Sequence, residues 1–112
     1  MVQVAYAGIC NSDIQRSFGG GAYHYPLIMG HEFSGAVKES FAGSRFSAGD
    51  RVVVYPLLPC HTCEACQTGD YAQCLDYDYF GSRRPGGFAA SSMCRRTTSC
   101  RFLPMSICST QL

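Results

Sequence analysis

Apolar and β-branched residues alternate or cluster in three short stretches, and each predicts a strand. Residues 2–6, Val-Gln-Val-Ala-Tyr, alternate from the start of the chain. Residues 33–37, Phe-Ser-Gly-Ala-Val, give the second strand. Residues 51–55, Arg-Val-Val-Val-Tyr, give the third, the most strongly β-branched. Between the first two lies Gly8-Ile9-Cys10-Asn11-Ser12-Asp13, a turn that leads into a short helix with Ser12 or Asp13 as its N-cap. Residues 18–25 carry three consecutive glycines and read as a loop. Residues 26–30 are a short apolar approach to His31-Glu32, and residues 47–50 signal a turn before the third strand. Residues 77–88 are aromatic, then glycine-rich. There is no long amphipathic helix and no internal repeat. The expected fold is mostly β, one small domain with irregular loops.

Composition narrows the classes. The chain has 112 residues, 46% hydrophobic and 15% charged, which suits one globular domain with a modest core. A net charge of +1 without a basic run argues against nucleic acid. No apolar run approaches the roughly 20 residues that span a membrane, so no membrane partner is expected. The eight cysteines would suggest a disulfide framework in a secreted protein. No signal peptide follows Met1, and four of the cysteines have metal spacing, so a reducing cytoplasm is the expected setting.

Those four are Cys60, Cys63, Cys66 and Cys74, in the pattern C-x2-C-x2-C-x7-C. Thiolates so close in sequence can close a tetrahedral shell around one Zn²⁺, a structural site with no open position. Disulfide pairing is the competing reading, and C-x2-C pairs in a reducing compartment disfavour it. His61 lies within this lobe, where four sulfurs already suffice, and is read as exposed.

A second cluster is more dispersed. Cys10, His31 and Glu32 offer a thiolate, an imidazole and a carboxylate, three competent zinc ligands. Three protein ligands with one open position is the layout of a catalytic zinc. Equally, a single cysteine is often a small buried hydrophobe, and a single histidine is often structural. Asp13 could fix the tautomer of a ligating histidine, or simply cap a helix. Ser12 could pass a proton, or cap. His24 reads as a surface or cavity-wall residue. Arg83 and Arg84 could meet a phosphate or lie in a solvated turn. No G-x-G-x-x-G sits between a strand and a helix, so no dinucleotide site is visible.

Taken together these motifs resemble the zinc-dependent medium-chain alcohol dehydrogenase family. The match runs in order through residues 8–13, Gly30-His31-Glu32-Phe33-Ser34-Gly35, Gly49-Asp50-Arg51-Val52, the cysteine lobe and Gly86-Gly87-Phe88-Ala89. It spans about residues 2–89. Residues 77–88 are most similar to the polyol dehydrogenases, those acting on sugar-alcohol phosphates included. The resemblance implies a GroES-like β-barrel, here partial, with no Rossmann domain. It implies Cys10, His31 and Glu32 at a catalytic zinc, Ser12 in a proton relay and Asp13 behind the histidine. It implies the four lobe cysteines at a structural zinc, NAD or NADP as cofactor, a small polyol or alcohol as substrate, and a homo-oligomeric parent enzyme. The parent reaction would be oxidation of a secondary alcohol to a ketone. The isolated chain is expected to be inactive, and the alternative is a non-catalytic structural zinc-binding module.

Two departures stand out. The usual Cys-Gly-Ser-Asp here reads Cys10-Asn11-Ser12-Asp13, which the αL tolerance of Asn can accommodate. Then, after Ala89, the family's Glu-Tyr and apolar strand give way to a Ser-, Thr-, Cys- and Arg-rich stretch without acidic residues. The expected division is therefore a truncated zinc-binding catalytic domain over 1–89 and an aberrant, out-of-frame or disordered tail over 90–112. One legal set of codons for 93–112, read two bases later, yields Val-Pro-Ala-Asp-Asn-Leu-Leu-Pro-Leu-Pro-Ala-Asp, which is similar to the family's continuation. On that reading Cys94, Cys100 and Cys108 carry no function. Resequencing the gene from the Gly86 codon onward should reveal a single-base change that restores Glu-Tyr after Ala89. A confirmed reading frame would overturn this expectation.

Overall fold

In the computed structural model, the β-prone stretches pair as an antiparallel sheet, and inward and outward residues alternate along Glu32–Val37 and Arg51–Val54. The structure describes residues 1–40 and 42–92, and the backbone of 102–104. Strands β1 (Val2–Gly8), β2 (Glu32–Val37) and β3 (Arg51–Val54) form the centre of a five-stranded sheet. Helix α1 (Asn11–Phe18) lies between β1 and β2. Strands β4 (Leu57–Leu58) and β5 (Asp78–Tyr79) make a separate two-stranded ladder. The segment between them carries helix α2 (Glu64–Gln67) and a 3-10 turn over Tyr71–Gln73. Strands β6 (Ser91–Ser92) and β7 (Phe102–Pro104) complete the large sheet at its edges, in the order β6-β1-β2-β3-β7. Both fall in the stretch expected to be aberrant; Cys94, Cys100 and Cys108 lie outside the described residues. Every strand pair is antiparallel, so no parallel β-α-β unit occurs among the described residues. No helix there is long and apolar enough to cross a membrane.

The alternation places Phe33, Gly35 and Val37 of β2 and Val52 and Val54 of β3 on the buried face. With Val2, Leu58 and Phe80 they form the core, and Val4 and Phe46 pack against it. The Phe33 and Phe80 rings meet edge to face, 5.8 Å between centroids. Burying a side chain such as Val52 or Phe80 stabilises the fold by about 1.5–3 kcal/mol. Both are fully enclosed, which identifies this cluster as the main source of stability.

The first strand is irregular in a useful way. Val4 pairs with Gly35 but Tyr6 pairs with Ser34, leaving Ala5 as a bulge residue. Before the bulge, Val2 and Val4 share the core face with Val37 and Gly35. After it, Tyr6 and Gly8 share the opposite face with Ser34 and Glu32. A regular strand would have kept Val2, Val4, Tyr6 and Gly8 on one side. At the crossing point Gly35 allows close approach, because a Cβ there would lie 1.9 Å from the Gln3 carbonyl oxygen.

Gly35→Ala should therefore destabilise the domain by about 1–3 kcal/mol, since the clash is with backbone that cannot rotate away. Urea unfolding measures this, and a change below about 0.5 kcal/mol would contradict the pairing described.

Candidate metal centres

The register of β1 against β2 builds the first centre. Gly8 pairs with Glu32, so Cys10 and His31, 21 positions apart in sequence, emerge side by side at one end of the sheet. One ligand atom each from Cys10, His31 and Glu32 lie within 4.8 Å of one another. Glu32 is exposed, Cys10 partly exposed and His31 buried. The Gly8 position leaves room for the carboxylate, as a Cβ there would sit 2.8 Å from Glu32 Oε2.

Asp13 organises this end of the molecule. Its carboxylate is buried, 1% exposed, and accepts hydrogen bonds from three places. Cys10 N donates to Oδ2 at 3.1 Å, and Gly30 N donates to Oδ1 at 3.3 Å. His31 Nδ1 lies 3.3 Å from the same Oδ1, which assigns its proton to Nδ1 and leaves Nε2 as an electron-pair donor. Arg16 Nη1 adds a cation 3.7 Å away. A buried carboxylate is tolerable only with such partners. The helix begins two to three residues earlier than expected, with Cys10 at the N-cap position and Asp13 in the first turn. The reason is this side chain, which folds back onto the Cys10 amide instead of capping from the front.

Ser12 follows Cys10 by two residues in the first turn of α1, with its Oγ accepting from Arg16 Nη1 at 3.1 Å. Two contributors escaped the sequence reading. Arg16 bridges Ser12 and Asp13, a helical i,i+3 and i,i+4 arrangement that a longer helix would have signalled. Tyr79 packs its ring on His31, 5.8 Å between centroids. Arg16 and Tyr79 line a cavity of about 270 Å³ together with Tyr23, Tyr77 and Ser82.

The backbone before His31 is clamped by the glycine-rich loop. Gly86 N donates to Ile28 O, Gly87 N to Gly30 O and Phe88 N to Met29 O, all at 2.7–2.9 Å. Gly30 has φ +89°, and a Cβ on Gly86 would lie 2.0 Å from the Gly30 carbonyl oxygen. Bare backbone at both positions is what lets the two segments touch.

The second centre is the cysteine lobe. Cys60 follows β4, Cys63 sits at the N-cap of α2, Cys66 lies within α2, and Cys74 ends the 3-10 turn. Their four sulfurs lie within 4.8 Å of one another. Cys60 and Cys66 sulfurs are 3.9 Å apart, and those of Cys63 and Cys74 4.0 Å apart. Tetrahedral Zn–S bonds of about 2.3 Å demand edges of about 3.8 Å, whereas a disulfide needs about 2.05 Å. The described cysteines are all free thiols. The donor set therefore fits Zn²⁺ and not a disulfide pair.

The lobe is also wired for thiolates. The Thr62 hydroxyl, at 3.4 Å, and the Thr62 and Cys63 amides point at Cys60 Sγ and pull that thiol down to about 5. A hydrogen bond from the Leu75 backbone lowers Cys63 as well. Burial pushes the Cys66 thiol up to about 12. A cation is what such a mixture of ionised and buried sulfurs lacks. His61 is exposed, as expected, and rests edge-on against Tyr71.

The two arginines part company. Arg84 pairs with Asp78. The Arg83 guanidinium stacks between the rings of Tyr23 and Tyr77, at 4.7 and 4.3 Å. His24 Nε2 contacts the Arg83 carbonyl oxygen at 3.1 Å and lines with Arg83 and Tyr77 a second cavity, next to the cysteine lobe, in keeping with a wall residue.

Comparison with known proteins now identifies the fold. The alcohol dehydrogenase GroES-like domain matches residues 1–104. Galactitol 1-phosphate 5-dehydrogenase of Escherichia coli (strain K12) is 47% identical over 96 residues, covering 85% of this chain and 28% of the relative. The crystal structure of galactitol-1-phosphate dehydrogenase from Escherichia coli superposes with a TM-score of 0.83 at 45% identity, covering 92% of this chain and 30% of that one. A zinc-binding dehydrogenase from Sinorhizobium meliloti bound to NADP gives a TM-score of 0.72 at 31% identity, covering 92% and 28%. The chain thus spans less than a third of the length of the relatives it matches. With its four-sulfur lobe and its partial β-barrel, the chain belongs to the alcohol dehydrogenase GroES-like domain family of zinc-dependent alcohol and polyol dehydrogenases.

Proposed function

We propose that this chain is part of the catalytic domain of a dehydrogenase that oxidises a secondary alcohol of a sugar alcohol, or of its phosphate, to a ketone. The observation that carries the reading is the convergence of Cys10, His31 and Glu32 in front of the buried Asp13. Zinc held there would supply a Lewis acid that lowers the pKa of an alcohol, and NAD or NADP would take the hydride. The remaining work falls to the chain's own side chains. Asp13 fixes His31 with Nε2 facing outward. Glu32 Oε1, 3.8 Å from that Nε2, adds a negative ligand on the solvent side. Ser12 carries the alcohol proton away; Arg16 occupies one lone pair of its Oγ, which leaves the hydroxyl hydrogen free to turn toward the site. The cavity of about 390 Å³ that His31 and Glu32 line with Tyr6, Gly8 and Tyr55 gives the carbon chain a place beside the histidine.

Hydride transfer also needs a dinucleotide-binding unit, and none occurs among the described residues. We therefore expect this chain alone to hold zinc without turning over substrate. Free thiols at both centres suit a reducing cytoplasm.

The purified chain should carry two zinc ions by elemental analysis, and one after Cys10→Ser. A single zinc in the wild-type chain would instead favour a non-catalytic zinc module. Cys63→Ser should strip the lobe and lower solubility; unchanged zinc content in that variant would contradict the lobe assignment. Asp13→Asn should weaken zinc binding at the Cys10 centre about 10–100-fold while leaving the lobe loaded. Equal retention at both centres in a competition titration would remove Asp13 from this role.

A further inference from the structure

We infer that Arg83 is a specificity-determining residue that reads the phosphate end of a polyol phosphate, in the cavity between the glycine loop and the cysteine lobe. This rests on the dehydrogenase reading above and deepens it. The cavity measures about 690 Å³ and is bounded by Tyr23, His24, His61, Tyr77, Arg83 and Arg84. Its two arginines are not equivalent. Asp78 neutralises Arg84, whereas the partners of Arg83 are uncharged. Arg83 Nη1 donates to the Tyr77 carbonyl oxygen at 3.1 Å, and its Nε is buried without an acceptor. A guanidinium pinned between two rings has little rotamer freedom left to lose, which suits its remaining Nη hydrogens to an anion such as a phosphate. Tyr23 adds a phenol that the Arg83 hydrogen bond holds below its ordinary value. Asp76 also borders the cavity, but it is exposed to solvent.

The position is tied to the metal centre by two routes. One is a series of ring contacts: His31 on Tyr79, Tyr79 on Tyr77, and Tyr77 on Arg83. The other is the loop itself, closed by Gly81 N on Arg84 O and clamped by Gly86 and Gly87 onto Ile28 and Gly30. The smaller cavity of about 270 Å³ shares Tyr23 and Tyr77 with this one and is bounded by Tyr79, whose ring meets His31, so it lies between the Arg83 end and the histidine. An unphosphorylated polyol would leave the Arg83 end unused.

The test is calorimetric titration of the zinc-loaded chain with galactitol 1-phosphate, galactitol and inorganic phosphate. The phosphate ester should bind at least 10-fold more tightly than galactitol. Arg83→Ala should remove that preference and leave galactitol binding unchanged, Arg83→Lys should restore part of it, and Arg84→Ala should change it less than threefold. Lobe zinc content and melting temperature confirm that each variant is folded. Equal affinity for ester and polyol, absence of heat with all three, or a folded Arg83→Ala chain that keeps the preference would overturn the inference. So would inorganic phosphate binding as tightly as the ester, which would make this a free-phosphate site. Cys10→Ser separates the two readings, because ester binding through Arg83 should survive there in part. A chain with one zinc and an intact Arg83 preference would sink the dehydrogenase reading alone.

Discussion

One buried carboxylate holds the metal end of this molecule together. Asp13 accepts from the Cys10 amide, the Gly30 amide and the His31 ring. These groups belong to two segments far apart in sequence: the start of α1, and the consecutive residues Gly30 and His31 that lead into β2. Without an acceptor the two amides would be buried donors lacking partners, and the imidazole would be free to rotate. Local backbone order and the orientation of a candidate ligand thus depend on the same two oxygens. Arg16 completes the arrangement from the next turn of the helix and reaches Ser12 at the same time.

The rest of the scaffold serves this end through close backbone contact. Gly35 lets β1 cross β2 tightly, and the bulge at Ala5 turns the far half of β1 so that Gly8 faces Glu32. The Gly30–Gly86 contact lets the glycine-rich loop brace the peptide before His31. The apolar core lies behind these contacts and fixes the strands. The cysteine lobe is different in kind, since it is shaped by short-range spacing and amide-to-sulfur hydrogen bonds with little apolar burial.

Much of this was legible in the sequence where the relevant contacts are local. Period-two alternation located β2 and β3 because each exposes one face and buries the other, and the first half of β1 because Val2 and Val4 turn toward the core. The lobe was legible because its four ligands lie within 15 residues of one another. The Cys10–His31 pair became persuasive only through resemblance, since its geometry depends on strand register and not on spacing. Helix α1 extends into what read as loop, because its stabilising features are one carboxylate and tertiary packing, not strong propensity. The two-residue strands β4 and β5 carry too few residues for a periodic signal. Arg83 and Arg84 look alike in sequence, and only the placement of Asp78 and two tyrosines tells them apart.

The β4–β5 ladder has a consequence for the order of assembly. It closes residues 57–79 on themselves, so every lobe ligand lies inside a loop whose ends are already paired. The large sheet, by contrast, joins Val2 to Ser92 and Val52 to Pro104, pairings between residues 90 and 52 positions apart. Short loops close at lower entropic cost than long ones. As the chain leaves the ribosome, the lobe can capture its ion once Tyr79 has emerged, before either edge of the sheet exists. The arrangement of the lobe ligands therefore depends on none of the long-range pairings that close the sheet edges.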